Sequence, residues 1–324
     1  MRVSYHPDYV VPLPPRHAFP MAKFAALRDL LVGEGTLGAA DIVAPREADW
    51  SDLRRVHTAD YLDRLSAGTL TRAEERRMGL PWSPALVRRS RLAVQGTLNA
   101  MHMALEDGVA GNLAGGTHHA MPGWGEGFCV LNDVAVALRA LQQSAWIRRA
   151  LVVDLDVHQG NGTATVFGGD RAWPHGGVYT LSVHGAKNFP FRKPPSTLDV
   201  GLPDGTGDAD YLDTLRDVLP RALDASRPDL VVYLGGVDVL AEDRFGRLAL
   251  SHHGLAARDR FVMETARAAD VPVCLLLSGG YAARRRAGSA PETLPSATGA
   301  LHATMYRVAR EVFGSSASDQ AASW

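Results

Sequence analysis

The sequence predicts a single α/β domain organised around a parallel β-sheet. Short aliphatic runs alternate along the chain with segments of helical periodicity, which is typical of repeated strand–helix–strand units. The runs are continuous rather than alternating in hydrophobicity, as expected for strands that are buried on both faces of a sheet. No low-complexity linker divides the 324 residues, of which 46% are hydrophobic, so one large core is expected.

Four aliphatic runs are predicted to form strands, and three amphipathic segments are predicted to form helices. The strands are residues 150–153, 178–183, 230–234 and 271–277, and the helices are residues 83–107, 208–225 and 254–269. Ser83 is a suitable N-cap for the first helix, with Pro84 at its first position, whereas Pro220 is expected to kink the second helix. Residues 187–206 contain several prolines and glycines and are predicted to form a long surface loop.

Charge and cysteine content argue against several classes of function. The 34 basic and 35 acidic residues give a net charge of −1, so there is no electrostatic reason to expect a nucleic-acid partner. Two cysteines, Cys129 and Cys274, are too few for a disulfide framework. The sequence shows no signal peptide and no apolar run near the roughly 20 residues that span a bilayer. A cytoplasmic protein without a membrane span is therefore expected.

Polar side chains stand where the predicted strands end. The first strand is followed by Asp154, Asp156 and His158, and the second contains Ser182. The third strand is followed by Asp238 and the fourth by Tyr281. A further segment carries His118 and His119 after two glycines. In parallel sheets, ligands bind beyond the carboxyl ends of the strands. We therefore expect these groups to meet at one edge of the sheet and to form the functional site.

The run from Asp154 through Asp156 to His158 indicates either a metal site or a buried network of hydrogen bonds. In an extended chain, residues two apart share a face, so the three side chains are predicted to point the same way. Two carboxylates and an imidazole on one buried face need a positive charge among them, and both explanations fit this run alone. Asp238 completes a mixed oxygen and nitrogen set, which is typical of a catalytic zinc site. Without thiolates, Fe²⁺ or Co²⁺ could replace zinc.

Four sequence blocks resemble the histone deacetylases. They are GGTHHAMPGWGEGFCVLND from Gly115, VDLDVHQGNGT from Val153, YLGGVDVLAEDRFGRLALS from Tyr233 and LSGGY from Leu277. Their order and spacing also match over roughly residues 5–312, and the HQGNG block is most similar to class IV members and their bacterial relatives. The resemblance implies an arginase/deacetylase-type eight-stranded parallel sheet flanked by helices. We expect a catalytic domain over residues 1–313 and a flexible tail over residues 314–324.

The resemblance also implies roles for the residues that match the family motifs. Asp156, His158 and Asp238 would bind zinc. His118 and His119 would flank the reacting water, and Tyr281 would donate a hydrogen bond to the substrate carbonyl. Gly127 and Phe128 would line a narrow channel for the acyl-lysine. Asp154 would pair with His118. Asp154 would also form a K⁺ or Na⁺ site with Ser182, Val183 and the backbone carbonyls of Asp156 and His158. Phe189, with Phe191, is predicted separately to form the other wall of the channel.

Asn161 departs from the pattern of class I relatives, in which an aspartate occupies the matching position. His119, the histidine it would face, therefore lacks a negatively charged partner. Because a neighbouring carboxylate raises the pKa of an imidazole, we expect His119 to be neutral more readily than His118 and to be the better general base.

The sequence thus predicts a zinc-dependent amidohydrolase that removes an acetyl or longer acyl group from lysine, using water, a histidine base and a tyrosine. Its substrate would be an acyl-lysine protein or peptide, with acetylpolyamines or another small acylated amine as an alternative. A binuclear manganese ureohydrolase is disfavoured because Gln159 and Asn161 stand where further aspartates would be needed. A non-catalytic acyl-lysine binding protein is also disfavoured because the metal-ligand positions and Tyr281 are all present. The oligomeric state stays open.

Overall fold

A sheet of eight parallel strands runs through the centre of the protein. The structure is a computed structural model that describes residues 1–168, 177–281 and 294–314. The strands are β1 (Val3–Ser4), β2 (Ile42–Val43), β3 (Val109–Asn112), β4 (Arg149–Asp154), β5 (Gly177–Gly185), β6 (Leu198–Leu202), β7 (Leu230–Leu234) and β8 (Val273–Leu276). Their order across the sheet is β2-β1-β3-β8-β7-β4-β5-β6, and each neighbouring pair is parallel. The predicted fold class is confirmed.

Helices cover both faces of this sheet. They are α1 (Lys23–Gly33), α2 (Trp50–Leu53), α3 (Ala59–Ala67), α4 (Arg72–Met78), α5 (Pro84–Asp107), α6 (Asp133–Gln143), α7 (Asn161–Phe167), α8 (Asp208–Ser226), α9 (His252–Ala268) and α10 (Leu294–Gly314). Two short 3₁₀ turns occur at Pro7–Tyr9 and Ala39–Asp41. Among the helices of the described ranges, none has both the length and the apolar character needed to cross a bilayer.

The central strands are buried on both faces because alternate side chains point to opposite sides of the sheet. Leu151 and Val153 of β4 lie in the core that includes residues of α8, α9 and α10. Ala150 and Val152 lie in a second core, formed with the inner sides of α5 and α6. Two-sided burial explains why these strands appear in the sequence as continuous aliphatic runs.

The four predicted strands and three predicted helices agree with the structure to within a few residues. The predicted strand at residues 230–234 matches β7, and the predicted helices match α5, α8 and α9. The predicted cap at Ser83 is confirmed, since its side chain accepts a hydrogen bond from the Leu86 amide at 3.1 Å. Helix α8 includes Pro220 without interruption. Strands β1, β2 and β3 were not predicted, because runs of two to four residues carry little periodic signal.

The prediction of one long loop over residues 187–206 is wrong in part. Strand β6 lies within this stretch and pairs with β5 as the edge strand of the sheet. Its residues alternate between more and less exposed positions, so it lacks the continuous apolar run that marks the buried strands. The tail predicted for residues 314–324 lies outside the described residues, apart from Gly314, where α10 ends.

The sheet register brings the carboxyl ends of the central strands together. Asp154, the last residue of β4, is level with Ser182 of β5 on one side and with Leu234 of β7 on the other. Leu234 is in turn level with Leu276 of β8. The segments that follow β4, β7 and β8 therefore leave the same edge of the sheet side by side, and they carry the candidate functional residues.

Candidate active site

The segment after β4 turns sharply and does not continue as an extended strand. The strand ends at Asp154, and residues 156–158 form a bend. The carboxylate of Asp154 accepts a hydrogen bond from the Asp156 amide at 3.2 Å, and the carboxylate of Asp156 accepts one from the His158 amide at 2.9 Å. Such turns, in which an aspartate binds the amide two residues on, are a local property of this residue type. The predicted extended geometry is therefore wrong for Asp156 and His158.

Asp156, His158 and Asp238 nevertheless come together as a buried set that could bind a metal ion. One ligand atom from each residue lies within 4.8 Å of the others. Nδ1 of His158 is 3.0 Å from Oδ1 of Asp156 and 3.1 Å from Oδ2 of Asp238. Burial lowers the pKa of the His158 imidazole, but its hydrogen bonds to the two carboxylates outweigh burial and raise that pKa to about 10. The two carboxylates thus favour a positive charge at this point.

Two glycines leave the space in which this set lies. A Cβ atom added at Gly279 would be 2.0 Å from Oδ2 of Asp238 and 2.6 Å from Oδ2 of Asp156. A Cβ atom at Gly236 would be 2.7 Å from the same oxygen of Asp156. The Gly279 amide donates to this oxygen at 2.5 Å. Two oxygens and one imidazole nitrogen, held close together by backbone, fit a divalent cation with an open coordination position.

A buried arginine, Arg258 of α9, supports the two turns that carry the carboxylates. Its guanidinium donates hydrogen bonds to the carbonyl of Leu155 at 3.3 Å and to that of Gly236 at 2.7 Å. It also pairs with Asp259 at 2.8 Å, and its side chain is fully buried. Arg258 was not predicted as a functional residue, because a charged residue in an amphipathic helix is usually at the surface.

His118 and His119 lie beside this set, each with its own partner. Nδ1 of His118 is 2.7 Å from Oδ2 of Asp154, as the family resemblance implied. Nδ1 of His119 is 2.6 Å from Oδ1 of Asn161. Both imidazoles are buried and their ring centroids are 4.1 Å apart.

The two histidines have opposite shifts in pKa. Burial lowers the pKa of His118, but the charges of Asp154 and Asp156 outweigh burial and raise it to about 9. Burial lowers the pKa of His119 well below its ordinary value, and the neighbouring positive charges of His118 and His158 lower it further. The pKa of His119 is therefore lower than that of His118, in the order that the sequence predicts. Burial is the larger cause for His119, and the neutral partner Asn161 does not offset it.

Tyr281 follows β8 and is fixed from its backbone. Its amide donates to Oδ2 of Asp243 at 2.9 Å, while Oδ1 of the same carboxylate accepts from the Phe245 amide at 2.8 Å. Burial and the charge of Asp238 raise the pKa of Asp243 to about 7. Hydrogen bonds to the Asp243 carboxylate therefore connect the segment after β7 with Tyr281. This role was not predicted, because the position of Asp243 in the sequence carries no spacing signal.

Lys23 of α1 supports the same segment from the other side. Its Nζ donates to the carbonyl of Ser278 at 3.2 Å and to that of Gly280 at 3.4 Å, and it is 3.4 Å from Nε2 of His302. Burial lowers the pKa of this ammonium to about 8. No sequence signal distinguishes Lys23 from the exposed basic residues, since its role depends on contacts more than 250 residues away along the chain.

A cavity of about 30 Å³ adjoins the site, and its walls include His118, His119, Asp156 and Tyr281. Gly127 and Phe128 also line it. The carbonyls at the end of α4 hold these two residues, accepting from the Gly127 amide at 3.3 Å and from the Phe128 amide at 2.8 Å. A Cβ atom at Gly127 would be 2.5 Å from the His119 ring, so only glycine fits there.

Aromatic rings surround this region. Phe189 lies edge-on to His119, with ring centroids 5.0 Å apart. Phe191 is 93% exposed, which contradicts its predicted place in the channel wall. The ring of Phe245, which was not predicted as a channel residue, is 4.9 Å from the ring of Tyr281 and 6.5 Å from that of Phe128. It lies within the third family-like block, which could have pointed to it.

The residues expected at the monovalent cation site lie next to one another. Asp154 and Ser182 are register partners on β4 and β5, and Val183 is the next residue. The Ser182 hydroxyl is 2.9 Å from Nδ1 of His184. Asp154, Ser182 and Val183 are all buried. Their binding of K⁺ or Na⁺ stays a prediction.

An eight-stranded parallel sheet with its buried polar site at the carboxyl ends of the strands is the arrangement of the arginase/deacetylase-type α/β proteins. Two solved structures share this fold over 97% of the chain. An HDAC homologue complexed with SAHA aligns with a TM-score of 0.77 and 23% identity, covering 84% of that structure's chain. An HDAC homologue from Aquifex aeolicus aligns with a TM-score of 0.76 and 22% identity, covering 84% of that structure's chain. At these identities the likeness concerns the fold.

Sequence comparisons identify the family. Residues 17–296 match the family model described as histone deacetylase domain, and the chain therefore belongs to the histone deacetylase family. The chain is 48% identical over 280 residues to an uncharacterized protein of Picosynechococcus sp., covering 86% of this chain and 92% of that protein. It is 34% identical over 274 residues to histone deacetylase 2 of Arabidopsis thaliana, covering 82% of this chain and 70% of that protein. It is 28% identical over 291 residues to the acetoin utilization protein AcuC of Staphylococcus aureus, covering 82% of this chain and 73% of that protein. Family membership supports a hydrolytic deacetylase.

Replacing Gly279 by alanine should disrupt metal binding. The added methyl group would collide with carboxylate oxygens of Asp238 and Asp156, so we expect zinc affinity to fall by about 10–100-fold, as for other changes next to metal ligands. Zinc content after competition with a chelator measures this. Gly33→Ala is the matched control, because a Cβ atom there meets no atom within 4 Å. Equal zinc affinity of the two variants would contradict the proposed ligand set.

Replacing Asn161 by aspartate should move the acidic limb of the pH–rate profile. A carboxylate 2.6 Å from Nδ1 of His119 stabilises the protonated imidazole and raises its pKa, so a base at this position is lost at higher pH. We expect the acidic limb of kcat/KM to shift upward by about one pH unit or more. Asn99→Asp adds the same charge on α5 and serves as the control. An unmoved limb would show that His119 is not the base.

Proposed function

We propose that the protein is a zinc-dependent deacylase that hydrolyses the amide bond between an acyl group and the ε-amine of lysine. One observation carries this proposal: two histidines with opposite pKa shifts, a tyrosine and Asp156 line the same cavity, and Asp156 belongs to the buried set with His158 and Asp238. A hydrolase that cleaves an amide needs a binding position for water, a proton acceptor, a proton donor and a stabiliser of negative charge. Each of these roles has a candidate residue.

Asp156, His158 and Asp238 would bind the cation. When bound, zinc supplies a Lewis acid that lowers the pKa of water and polarises the amide carbonyl. The set contains no thiolate, so Fe²⁺ or Co²⁺ is an alternative occupant. Arg258 would keep the two carboxylate-bearing turns in register, because it binds a backbone carbonyl of each.

His119 would accept a proton from the attacking water, since its low pKa keeps the imidazole neutral. The water oxygen then forms a bond to the acyl carbon as the carbonyl π bond opens. His118, whose pKa of about 9 keeps it protonated near neutral pH, would donate a proton to the amine nitrogen as the carbon–nitrogen bond breaks. The products are a carboxylic acid and a free amine.

Tyr281 would donate a hydrogen bond to the carbonyl oxygen as negative charge develops on it. Burial raises the pKa of this phenol, so it stays protonated and able to donate. The backbone contact of its amide with Asp243 and the contacts of Lys23 with the neighbouring carbonyls would hold it in place. Preorganised donors of this kind contribute strongly to amide hydrolysis because they need no rearrangement in the transition state.

Phe128 and Phe189 would flank the methylene stem of the substrate lysine. Both rings are half-buried near the histidines, where an apolar stem can pack against them. A small acylated amine, such as an acetylpolyamine, is the alternative substrate because it presents the same amide on a similar stem. If the protein is not an enzyme, the alternative function is that of a non-catalytic protein that binds acyl-lysine.

Turnover of a panel of substrates separates these functions. The panel contains fluorogenic acyl-lysine peptides from acetyl to myristoyl, together with acetylpolyamines, each measured with and without a hydroxamate chelator. We expect hydroxamate-sensitive release of the acyl group, and the preferred member names the substrate class. Binding of acyl-lysine with one metal per chain but without turnover on any substrate would favour the binding protein.

Replacing Tyr281 by phenylalanine should separate catalysis from metal binding. The variant keeps the aromatic ring but loses the hydroxyl donor, and we expect kcat to fall by about 10²–10³-fold while zinc content stays normal. Asp238→Ala is the contrasting variant, in which both zinc and activity should be lost. Near-normal turnover of the Tyr281→Phe protein would refute the role of this hydroxyl.

A further inference from the structure

The side-chain amide of Asn161 lies between an imidazole and a carboxylate. Its Oδ1 is 2.6 Å from Nδ1 of His119, and its Nδ2 donates to Oε2 of Glu126 at 3.3 Å. Asn161 and His119 are buried, and Glu126 is half-buried. Glu126 comes one residue before Gly127, whose backbone lies so close to the His119 ring that an added Cβ atom would be 2.5 Å from it.

Glu126 is itself held in place by its local backbone. Its amide donates to the carbonyl of Cys129 at 2.9 Å, and the Cys129 amide donates back to the carbonyl of Glu126 at 2.9 Å. Nε1 of Trp124 approaches the Glu126 carboxylate at 3.4 Å. The carboxylate therefore stands at a defined position opposite Asn161.

The two ends of an asparagine amide are chemically different, and this difference gives the arrangement a direction. The NH₂ end only donates hydrogen bonds and the oxygen only accepts them, while an ionised carboxylate only accepts. With Glu126 on one side, the NH₂ end of Asn161 must face the carboxylate, so the oxygen must face His119. An oxygen at 2.6 Å requires a hydrogen on Nδ1 of His119. In the neutral imidazole, Nε2 then carries the lone pair.

We propose that Glu126 is a positioning residue that selects, through Asn161, the His119 tautomer with a hydrogen on Nδ1 and a free Nε2. This inference deepens the proposed function, since it assigns the atom at which His119 accepts a proton from water. A reversed Asn161 amide would direct its oxygen at the Glu126 carboxylate and its NH₂ group at Nδ1. It would thereby favour the opposite tautomer, in which Nε2 bears the hydrogen and cannot act as a base.

The test replaces Glu126 by glutamine, alone and together with Asn161→Asp. Glutamine has nearly the same shape, but its amide can donate as well as accept, so Asn161 is free to reverse. In the Asn161→Asp background both carboxylate oxygens accept, and Nδ1 keeps its hydrogen whatever stands at position 126. We therefore expect Glu126→Gln to be harmful beside Asn161 but not in the Asn161→Asp background, where it also removes the repulsion between two neighbouring carboxylates.

Two readouts are needed, one of which does not depend on activity. Long-range ¹H–¹⁵N spectra of the zinc-loaded full chain, labelled in histidine and assigned with His119→Gln, report which ring nitrogen of His119 bears the hydrogen. Steady-state kinetics on the best acyl-lysine substrate give kcat and KM. Glu264→Gln, an exposed change on α9 that removes one of the two carboxylate partners of Arg260, is the matched control.

The expected result for Glu126→Gln is a loss of the Nδ1-H signal of His119 and a fall in kcat of about tenfold or more, with KM nearly unchanged. Complete loss of general-base catalysis, at about 10²–10⁴-fold, sets the upper limit. In the Asn161→Asp background the same change should keep the Nδ1-H signal and should not lower kcat.

Three outcomes would overturn the proposal. An unchanged Nδ1-H signal in Glu126→Gln would show that Glu126 does not select the tautomer. An equal loss of kcat in both backgrounds would show that Glu126 acts by another route, and a rise in KM alone would indicate contact with substrate. If the wild-type chain hydrolyses none of the panel, the proposed function fails, whereas the spectra still decide whether Glu126 sets the tautomer.

Discussion

The burial of two carboxylates next to one imidazole is the constraint on which the rest of the site depends. Asp156 and Asp238 are removed from water at the edge of the sheet, where an uncompensated negative charge is costly. The raised pKa of His158 is a measure of this demand for positive charge. A divalent cation bound by the three side chains would meet the demand, and the glycines at 236 and 279 leave room for it by bringing backbone, rather than side chains, against the carboxylates.

Long-range contacts keep this costly arrangement in place. Arg258 binds backbone carbonyls of the segments after β4 and β7, and Lys23 binds those of the segment after β8. Each is a buried cation directed at backbone oxygens, so it satisfies polar groups that would otherwise be buried without partners. The ammonium of Lys23 also interacts with the charges of Asp238 and Asp156, which reduces the electrostatic cost of burying these carboxylates.

Asymmetry between the two histidines follows from what each imidazole faces. His118 faces the carboxylate of Asp154, and His119 faces the amide of Asn161. The charges of Asp154 and Asp156 outweigh burial and raise the pKa of His118, whereas burial lowers the pKa of His119 and Asn161 brings no charge that would offset it. The proposed hydrolysis would use this difference between a proton donor and a proton acceptor. The amide of Asn161 adds a property that a carboxylate lacks, because its two ends are different and its orientation must be set by a further residue.

The sequence by itself determined the fold class and most of the candidate site. Continuous aliphatic runs mark strands buried on both faces, and the polar groups at their ends must meet because parallel strands end at one edge. Tertiary structure decided what has no periodic signal: the two-residue strands β1 and β2, the edge strand β6 and the bend at residues 156–158. It also decided the roles of Lys23, Arg258, Asp243 and Glu126, because a single polar residue acquires a partner only when distant segments pack against it. Local sequence patterns record burial and turn chemistry, whereas the pairing of buried charges is a property of the assembled fold.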